Sequence, residues 1–372
     1  MRIYQNRTVW KAALDRFRWL YDEFGNIVVN FSGGKDSTVC LNLALMVAEE
    51  KGRLPVDVLF IDQEAEWRTV MADPRVNPLW LQVPFKIFNA TSTLEPWLHC
   101  WEPGREWVRE KEPISIKDNR FGVDRFGGMF NAFADHHFQG GPYINIAGVR
   151  CEESPARALG LTSYATYKHI TWGKKENARK HQYTMYPLYD WSYTDIWKAI
   201  HDNGWAYCRI YDYMCMYGVP IMEMRVSNVH HETAVKTLYY LQEIEQDTWN
   251  RITARIGGLN TAKTLREDFM APKALPWMFR DWREYREHLL ENLIADPDIK
   301  ATFRKEFDNA DKLFDREIHD ALWKYHVGMV LKNNHHPEAM RLFQASHGQY
   351  TQGSHHKARK RREKPPDPFA IA

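Results

Sequence analysis

The chain has 372 residues, 44% of them hydrophobic, and a formal net charge of +2. That apolar content supports a packed core and excludes a disordered chain, and so small a charge does not by itself argue for a nucleic-acid binder. No apolar run of about 18 residues marks a membrane span, no signal-peptide core stands in the charged first residues, and the five cysteines form no CxxC pair, so the expectation is a cytoplasmic protein with reduced thiols and no membrane partner.

Residues 9–24 place Ala13, Leu14, Phe17 and Leu20 on one helical face, which predicts a leading helix over the first strand. The apolar run Ile27-Val28-Val29 breaks into Ser32-Gly33-Gly34-Lys35-Asp36-Ser37 and resumes with Leu41, Leu43, Ala44 and Val47 at helical spacing. This reads as a buried strand, a glycine turn and a helix N-terminus. Adjacent glycines let backbone approach a ligand closely. The first helical N–H groups, the helix dipole and the Lys35 ammonium converge on one point, which suits a polyphosphate. It is not a Walker A loop, because Asp36 follows Lys35 and the Gly-x4-Gly-Lys-Ser/Thr spacing is missing. Residues 56–62 form the next strand and close on Asp62, Glu64 and Glu66. Strand, helix and strand make a βαβ unit with parallel pairing and a right-handed crossover. Ligands of such sheets sit beyond the carboxyl ends of the strands, so the glycine loop and Asp62 are expected to share one crevice.

Residues 85–141 are aromatic and broken by Pro and Gly; they read as an insertion that carries specificity, helical over 125–137. A third strand over 143–149 runs into Arg150-Cys151-Glu152-Glu153-Ser154-Pro155-Ala156-Arg157. A fourth apolar stretch at 185–188 leads to Asp190-Trp191-Ser192 and a helix over 193–203, with Asp190 or Ser192 as its cap. Helical patterning continues from Asn228 to Phe343, and periodicity is lost from Ser346. The predicted organisation is an α/β nucleotide-binding domain over 1–225, a helical region over 226–345 and a disordered basic tail over 346–372.

The motif Ser32-Gly33-Gly34-Lys35-Asp36-Ser37 resembles the PP-loop of the ATP pyrophosphatase superfamily. With Gly148-Val149-Arg150-Cys151-Glu152-Glu153-Ser154-Pro155-Ala156-Arg157 and Tyr186-Pro187-Leu188-Tyr189-Asp190-Trp191, it makes the chain similar to the PAPS reductase family. A bacterial and phage branch of unknown function shares further phrases, such as Trp101-Glu102-Pro103 and Tyr217-Gly218-Val219-Pro220. The resemblance implies an α/β fold with a doubly wound parallel sheet, of the adenine nucleotide alpha hydrolase-like type. It implies that Ser32, Gly33, Gly34, Lys35, Asp36 and Ser37 cradle nucleotide phosphates and that Asn30, Phe31, Ile61 and Asp62 seat the adenosine. Gly148, Arg150, Glu153 and Arg157 then belong to the nucleotide site, with the two arginines gripping anionic oxygens. Lys35, Asp36, Arg150 and Arg157 are the catalytic candidates, and Asp36 is the candidate Mg²⁺ ligand.

PAPS reductase proper uses a cysteine in a C-terminal Glu-Cys-Gly-Leu-His segment, and this chain has no cysteine after Cys215. It also lacks the paired cysteines of an iron–sulfur reductase. The reading is therefore an ATP- and Mg²⁺-dependent enzyme that adenylates an unidentified acceptor and releases pyrophosphate, in sulfur transfer or nucleic-acid modification with a partner protein. Two alternatives stay open: a PAPS reductase or sulfotransferase-like enzyme, and a nucleotide-sensing regulator whose basic tail binds nucleic acid. Elsewhere, Cys208 and Cys215 read as buried structural thiols. The pairs His136-His137, His230-His231 and His335-His336 point in divergent directions and make poor chelates. Arg251, Arg255, Gly257, Gly258 and Lys263 are a candidate second anion site.

Overall fold

The computed structural model describes residues 6–65, 73–88, 97–221, 224–226, 238–256, 274–332, 334–335 and 340–351. It divides into two compact units, Met1–Ile87 with Trp97–Ile256, and Phe88–Pro96 with Gly257–Ala372.

In the first unit, helix α1 (Val9–Glu23) starts at Thr8, whose hydroxyl accepts the Lys11 N–H, and it buries Ala13, Phe17, Leu20 and Tyr21. The strands are β1 (Ile27–Asn30), β2 (Val56–Ile61), β3 (Val76–Leu81), β4 (Phe85–Phe88), β5 (Trp97–Cys100), β6 (Tyr143–Ile146), β7 (Gly173–Asn177) and β8 (Gln182–Met185). Six of them form one sheet in the order β3-β2-β1-β6-β8-β7, and β4 pairs with β5. Every pair of the large sheet is parallel except β7 with β8.

Helices α2 (Lys35–Glu50), α3 (Phe126–His137) and α4 (Pro155–Thr162) lie between strands, and α5 (Tyr193–Asn203) follows the last one. Alternation along β6 sets the two faces of the sheet. Ile144 and Ile146 join Val29, Leu43, Ala44 and Ile196 in a core with α1, α2 and α5. Asn145, pointing the other way, donates to Asn131 of α3. The sheet is thus covered on both faces, as a buried parallel sheet requires. The α5 cap is Ser192, which exchanges hydrogen bonds with Asp195 in a capping box. Asp190 instead grips Arg16 of α1 through both carboxylate oxygens, at 2.8 and 2.5 Å.

Of the six strands of the large sheet, two escape the sequence pattern, and both lie at the sheet's edges; β4 and β5, within the insertion, escape it too. Strand β3 contains Asn77 and Pro78, and β7 reads Gly-Lys-Lys-Glu-Asn. Pro is tolerated at an edge, and polar side chains guard an edge against further pairing. Helices α6 (Ile210–Met216), α7 (Leu238–Ile244) and α8 (Gln246–Arg255) complete the first unit.

The second unit contains α9 (Trp282–Leu293), α10 (Pro297–Leu313), α11 (His319–Leu331) and α12 (Arg341–His347). Leu290, Phe303, Phe307, Leu322 and Val330 form its core. Inside it, Arg286, only 2% exposed, pairs with Asp311 at 3.1 Å and donates to Nδ1 of His326 at 3.0 Å. Phe307 stacks on His326 at 4.1 Å.

Three expectations need correction. Ser346 belongs to α12, and the Asp315 N–H donates to the Tyr350 carbonyl at 2.8 Å, so order extends to Thr351; the basic residues of the tail lie outside the described residues. Cys208, just ahead of α6, is half-buried, and Cys215, on the outward face of α6, is exposed. Arg255 is no part of an anion site: its Nε pairs with the buried Glu64 at 3.0 Å. Gly257, Gly258, Lys263, His230, His231, His336 and Glu66 lie outside the described residues.

Candidate active site

Strand order reverses between β1 and β6, the point where open α/β sheets leave a crevice. A cavity of about 620 Å³ opens there, a size that suits a nucleotide. It runs along the carboxyl ends of the sheet, past Phe60 and Ile61 after β2, Phe31 to Ser37 after β1, Ala147 to Arg150 after β6, and Tyr186 after β8. Asn30, Phe31, Ser32, Gly34, Lys35, Asp36, Ser37, Ile61, Gly148, Arg150, Glu153 and Arg157 all line it, so the structure brings together most residues picked from the sequence.

The loop is held by its own side chains. The Ser37 hydroxyl donates to the Gly34 carbonyl at 2.9 Å and accepts the Ser32 N–H at 3.2 Å. Gly33 has φ +72°, open to glycine without strain. The amides of Gly33, Gly34, Asp36 and Ser37 make no hydrogen bond to another described residue. Gly34, Asp36 and Ser37 line the cavity, which gives three donors at a helix N-terminus with no partner among the described residues, able to receive an anion. Gly148 explains how the β6 loop reaches this point. A Cβ there would stand 2.8 Å from the Asp36 carbonyl oxygen and 2.9 Å from its carbon.

Charge is concentrated beside the loop. Lys35 is 7% exposed and Arg150 is 4% exposed, and Asp36 lies between them, 3.2 Å from Lys35 Nζ and 2.5 Å from Arg150 Nε. Glu152 accepts from Arg150 at 3.0 Å and from the Tyr193 N–H at 2.6 Å. Glu153 accepts the Arg150 N–H at 2.8 Å and pairs with Arg157. The two glutamates therefore orient the two arginines. Arg157 keeps 45% of its side chain exposed; even so, burial and then the charge of Arg225 push its guanidinium below its ordinary value. Burial pushes the Tyr186 phenol up to about 12.

Asp62 is placed elsewhere than expected. It is wholly buried and accepts from Trp80 Nε1 at 3.1 Å, Gln82 Nε2 at 2.9 Å and Arg109 Nη2 at 2.9 Å. Glu64, also wholly buried, accepts the Trp101 and Val108 N–H groups at 2.6 and 3.2 Å. Both carboxylates anchor the aromatic insertion. Gly33 faces a second cavity of about 1020 Å³ behind the loop.

Sequence reasoning missed Tyr211, Arg225, Lys174, Glu176 and the α3 residues Phe126, Phe130 and Asn131, all of which line the cavity. Phe31, Phe60, Ile61, Phe126 and Phe130 give it an apolar, aromatic end that suits a base. Glu176 accepts from Asn131 at 2.6 Å and Thr184 at 2.9 Å. Arg225 makes no ion pair among the described residues. The described residues hold no cluster of three His, Cys, Asp or Glu side chains that could bind a metal. No described helix is long and apolar enough to cross a membrane.

Comparison with known proteins gives three findings. Residues 132–260 match the phosphoadenosine phosphosulfate reductase domain family. The chain is 29% identical to the uncharacterized protein YbdN of Escherichia coli K12, over 77% of this chain and 75% of that protein. Among solved structures, it aligns with PAPS reductase from Candida auris in a phosphate complex, at 13% identity and TM-score 0.31, over 62% of this chain and 98% of that one. It also aligns with FMN adenylyltransferase from Candida glabrata bound to FMN and the ATP analogue AMPCPP. That likeness has 15% identity and TM-score 0.33, over 57% of this chain and 65% of that one.

Proposed function

For a chain that is PAPS reductase-like, we propose that the cavity binds ATP, splits it between the α- and β-phosphates and transfers AMP to an acceptor. The observation that carries this reading is the set of three loop amides, of Gly34, Asp36 and Ser37, that make no bond among the described residues, beside two buried cations, Lys35 and Arg150, at the switch point of the sheet. The aromatic end of the cavity takes adenine, and the loop takes the β- and γ-phosphates. A lone pair of the acceptor attacks the α-phosphorus, the bond to the bridging oxygen breaks, and pyrophosphate leaves with the electron pair. The acceptor loses its proton to solvent. Such a transfer needs positioning and charge stabilisation more than covalent participation by the protein.

Asp36 already faces Lys35 and Arg150, so it is a poor sole anchor for a resident cation. Mg²⁺ enters this reading as part of the substrate, carried by phosphate oxygens, with Asp36 the nearest carboxylate. Thiol-dependent reduction has little support, since all five cysteines are described and none lines the cavity. A 3′-phosphorylated nucleotide is the second reading, and Arg225, without an ion pair among the described residues, is what favours it.

Calorimetry with ATP, APS and PAPS, beside a pyrophosphate-release assay over sulfur, amine and hydroxyl acceptors, tests the reading. ATP binding and acceptor-dependent pyrophosphate release are expected. PAPS binding far more tightly than ATP, with no pyrophosphate from any acceptor, would refute it.

A further inference from the structure

Tyr211 stands on α6, 176 residues along the chain from the loop, and no motif assigns it a role. Its side chain is 3% exposed, and its hydroxyl oxygen accepts the Lys35 N–H at 3.1 Å. The Lys35 ammonium lies 5.5 Å from the ring centroid, and a Cβ on Gly34 would come within 3.5 Å of the hydroxyl. The phenol oxygen thus sits at the first turn of α2, on the cavity wall.

A phenol oxygen has two acceptor sites and one hydrogen. Here the Lys35 N–H takes one acceptor site, and no described residue accepts the hydrogen. Burial keeps the phenol protonated, pushing its ionisation above the ordinary value, so the group remains a donor at neutral pH. We infer that Tyr211 is a phosphate ligand whose O–H donates to an oxygen of the bound polyphosphate. This rests on the nucleotide reading above and extends it to a residue outside the PP-loop. The tyrosine relays the first helical N–H of α2 one oxygen further into the cavity, where a phosphate too bulky to reach the Lys35 amide can use it. A separate contact runs from Lys35 Nζ to the Met224 carbonyl, at 3.5 Å.

The test is Tyr211→Phe in the full chain, which keeps the ring under Lys35 and removes only the hydroxyl, with ATP, pyrophosphate and adenosine titrated by calorimetry. ATP and pyrophosphate are expected to bind about 10- to 100-fold more weakly, the range for a lost hydrogen bond to a charged group, with adenosine unchanged. Equal losses for all three ligands would mean a purely structural role and overturn the inference. So would unchanged binding of ATP and pyrophosphate. Wild-type protein that binds neither ATP nor pyrophosphate overturns the nucleotide reading itself, and this inference with it. If Tyr211→Phe does not fold, a fluorinated tyrosine placed at 211, which ionises at lower pH, serves instead. Its ATP affinity is expected to fall as pH rises through the lowered phenol pKa, relative to unmodified protein, and matching profiles would overturn the assignment.

Discussion

Gly148→Ala isolates the contact that sets the loop against the β6 end. The added Cβ would meet the Asp36 carbonyl oxygen at 2.8 Å, its carbon at 2.9 Å and the Ser37 nitrogen at 3.2 Å. All three are backbone atoms, so no side chain can swing away. Relief to an ordinary contact needs a separation of about 0.6 Å between the β6 loop and the start of α2. Overpacking of this kind costs about 1–3 kcal/mol. For a unit of this size that is about 2–10 °C in melting temperature. The same displacement moves the Asp36 and Ser37 amides relative to Arg150, and misplacements near 1 Å cost about a hundredfold in such sites. Thermal unfolding together with ATP calorimetry measures both effects, and about a tenfold loss of ATP affinity is expected. Gly25→Ala, where nothing stands within 4 Å, is the control. A Gly148→Ala protein with the melting point and affinity of the control would show that the loop and helix separate freely, against the reasoning given.

Lys35→Ala should weaken ATP and pyrophosphate about tenfold or more and leave adenosine unaffected, since its ammonium lies beside Asp36 at the loop, where the proposed reading puts the phosphates; unchanged calorimetric affinity for all three would reduce the loop to a structural turn. Glu64→Ala leaves two buried backbone donors without an acceptor and leaves Arg255 with only the Glu102 carboxylate at 3.8 Å and the His99 carbonyl at 2.6 Å, and a loss of about 3–5 kcal/mol in urea unfolding is expected; a loss below about 1 kcal/mol contradicts the assigned role. His326 predicts a pH effect in the second unit. Arg286 donates to its Nδ1, and burial, then the Arg286 charge, hold its pKa well below 6.5. The unfolded chain takes up a proton below about pH 6.5 and the folded chain does not. Stability is therefore present above that pH and falls as pH drops, by up to about 1.4 kcal/mol per pH unit. Melting curves from pH 7.5 to 5.0 should show this fall, and His326→Gln should flatten it; identical slopes in the two proteins would count against it.

What could be read from the sequence was local. Ser32 to Ser37 sit within one turn of each other, so strand, loop and helix declare themselves in a single window. The Ser192 cap and the face of α1 are equally short-range. Asp62 misled because a carboxylate after a parallel strand looks the same whether it meets a ligand or a buried partner. Its partners Trp80, Gln82 and Arg109 lie 18, 20 and 47 residues away. Tyr211 and Arg225 had no signal at all, since their importance depends on tertiary proximity to Lys35. The edge strands β3 and β7 were illegible because an edge asks little of hydrophobic alternation.

The carboxylates at the end of β2 also constrain how this protein can be rebuilt. Trp80, Gln82, Trp101, Val108 and Arg109 are donors that Asp62 and Glu64 require. Cutting the aromatic segment out would take Arg109 from Asp62 and the Trp101 and Val108 N–H groups from Glu64, leaving two interior anions short of donors a few residues from the Phe60 and Ile61 wall. The segment is therefore not a cassette that can be exchanged between homologues to transplant specificity. A chimera that swaps it must carry residues 62 and 64 with it, and a truncation that omits it forfeits the cavity wall of Phe126, Phe130 and Asn131 along with the insertion.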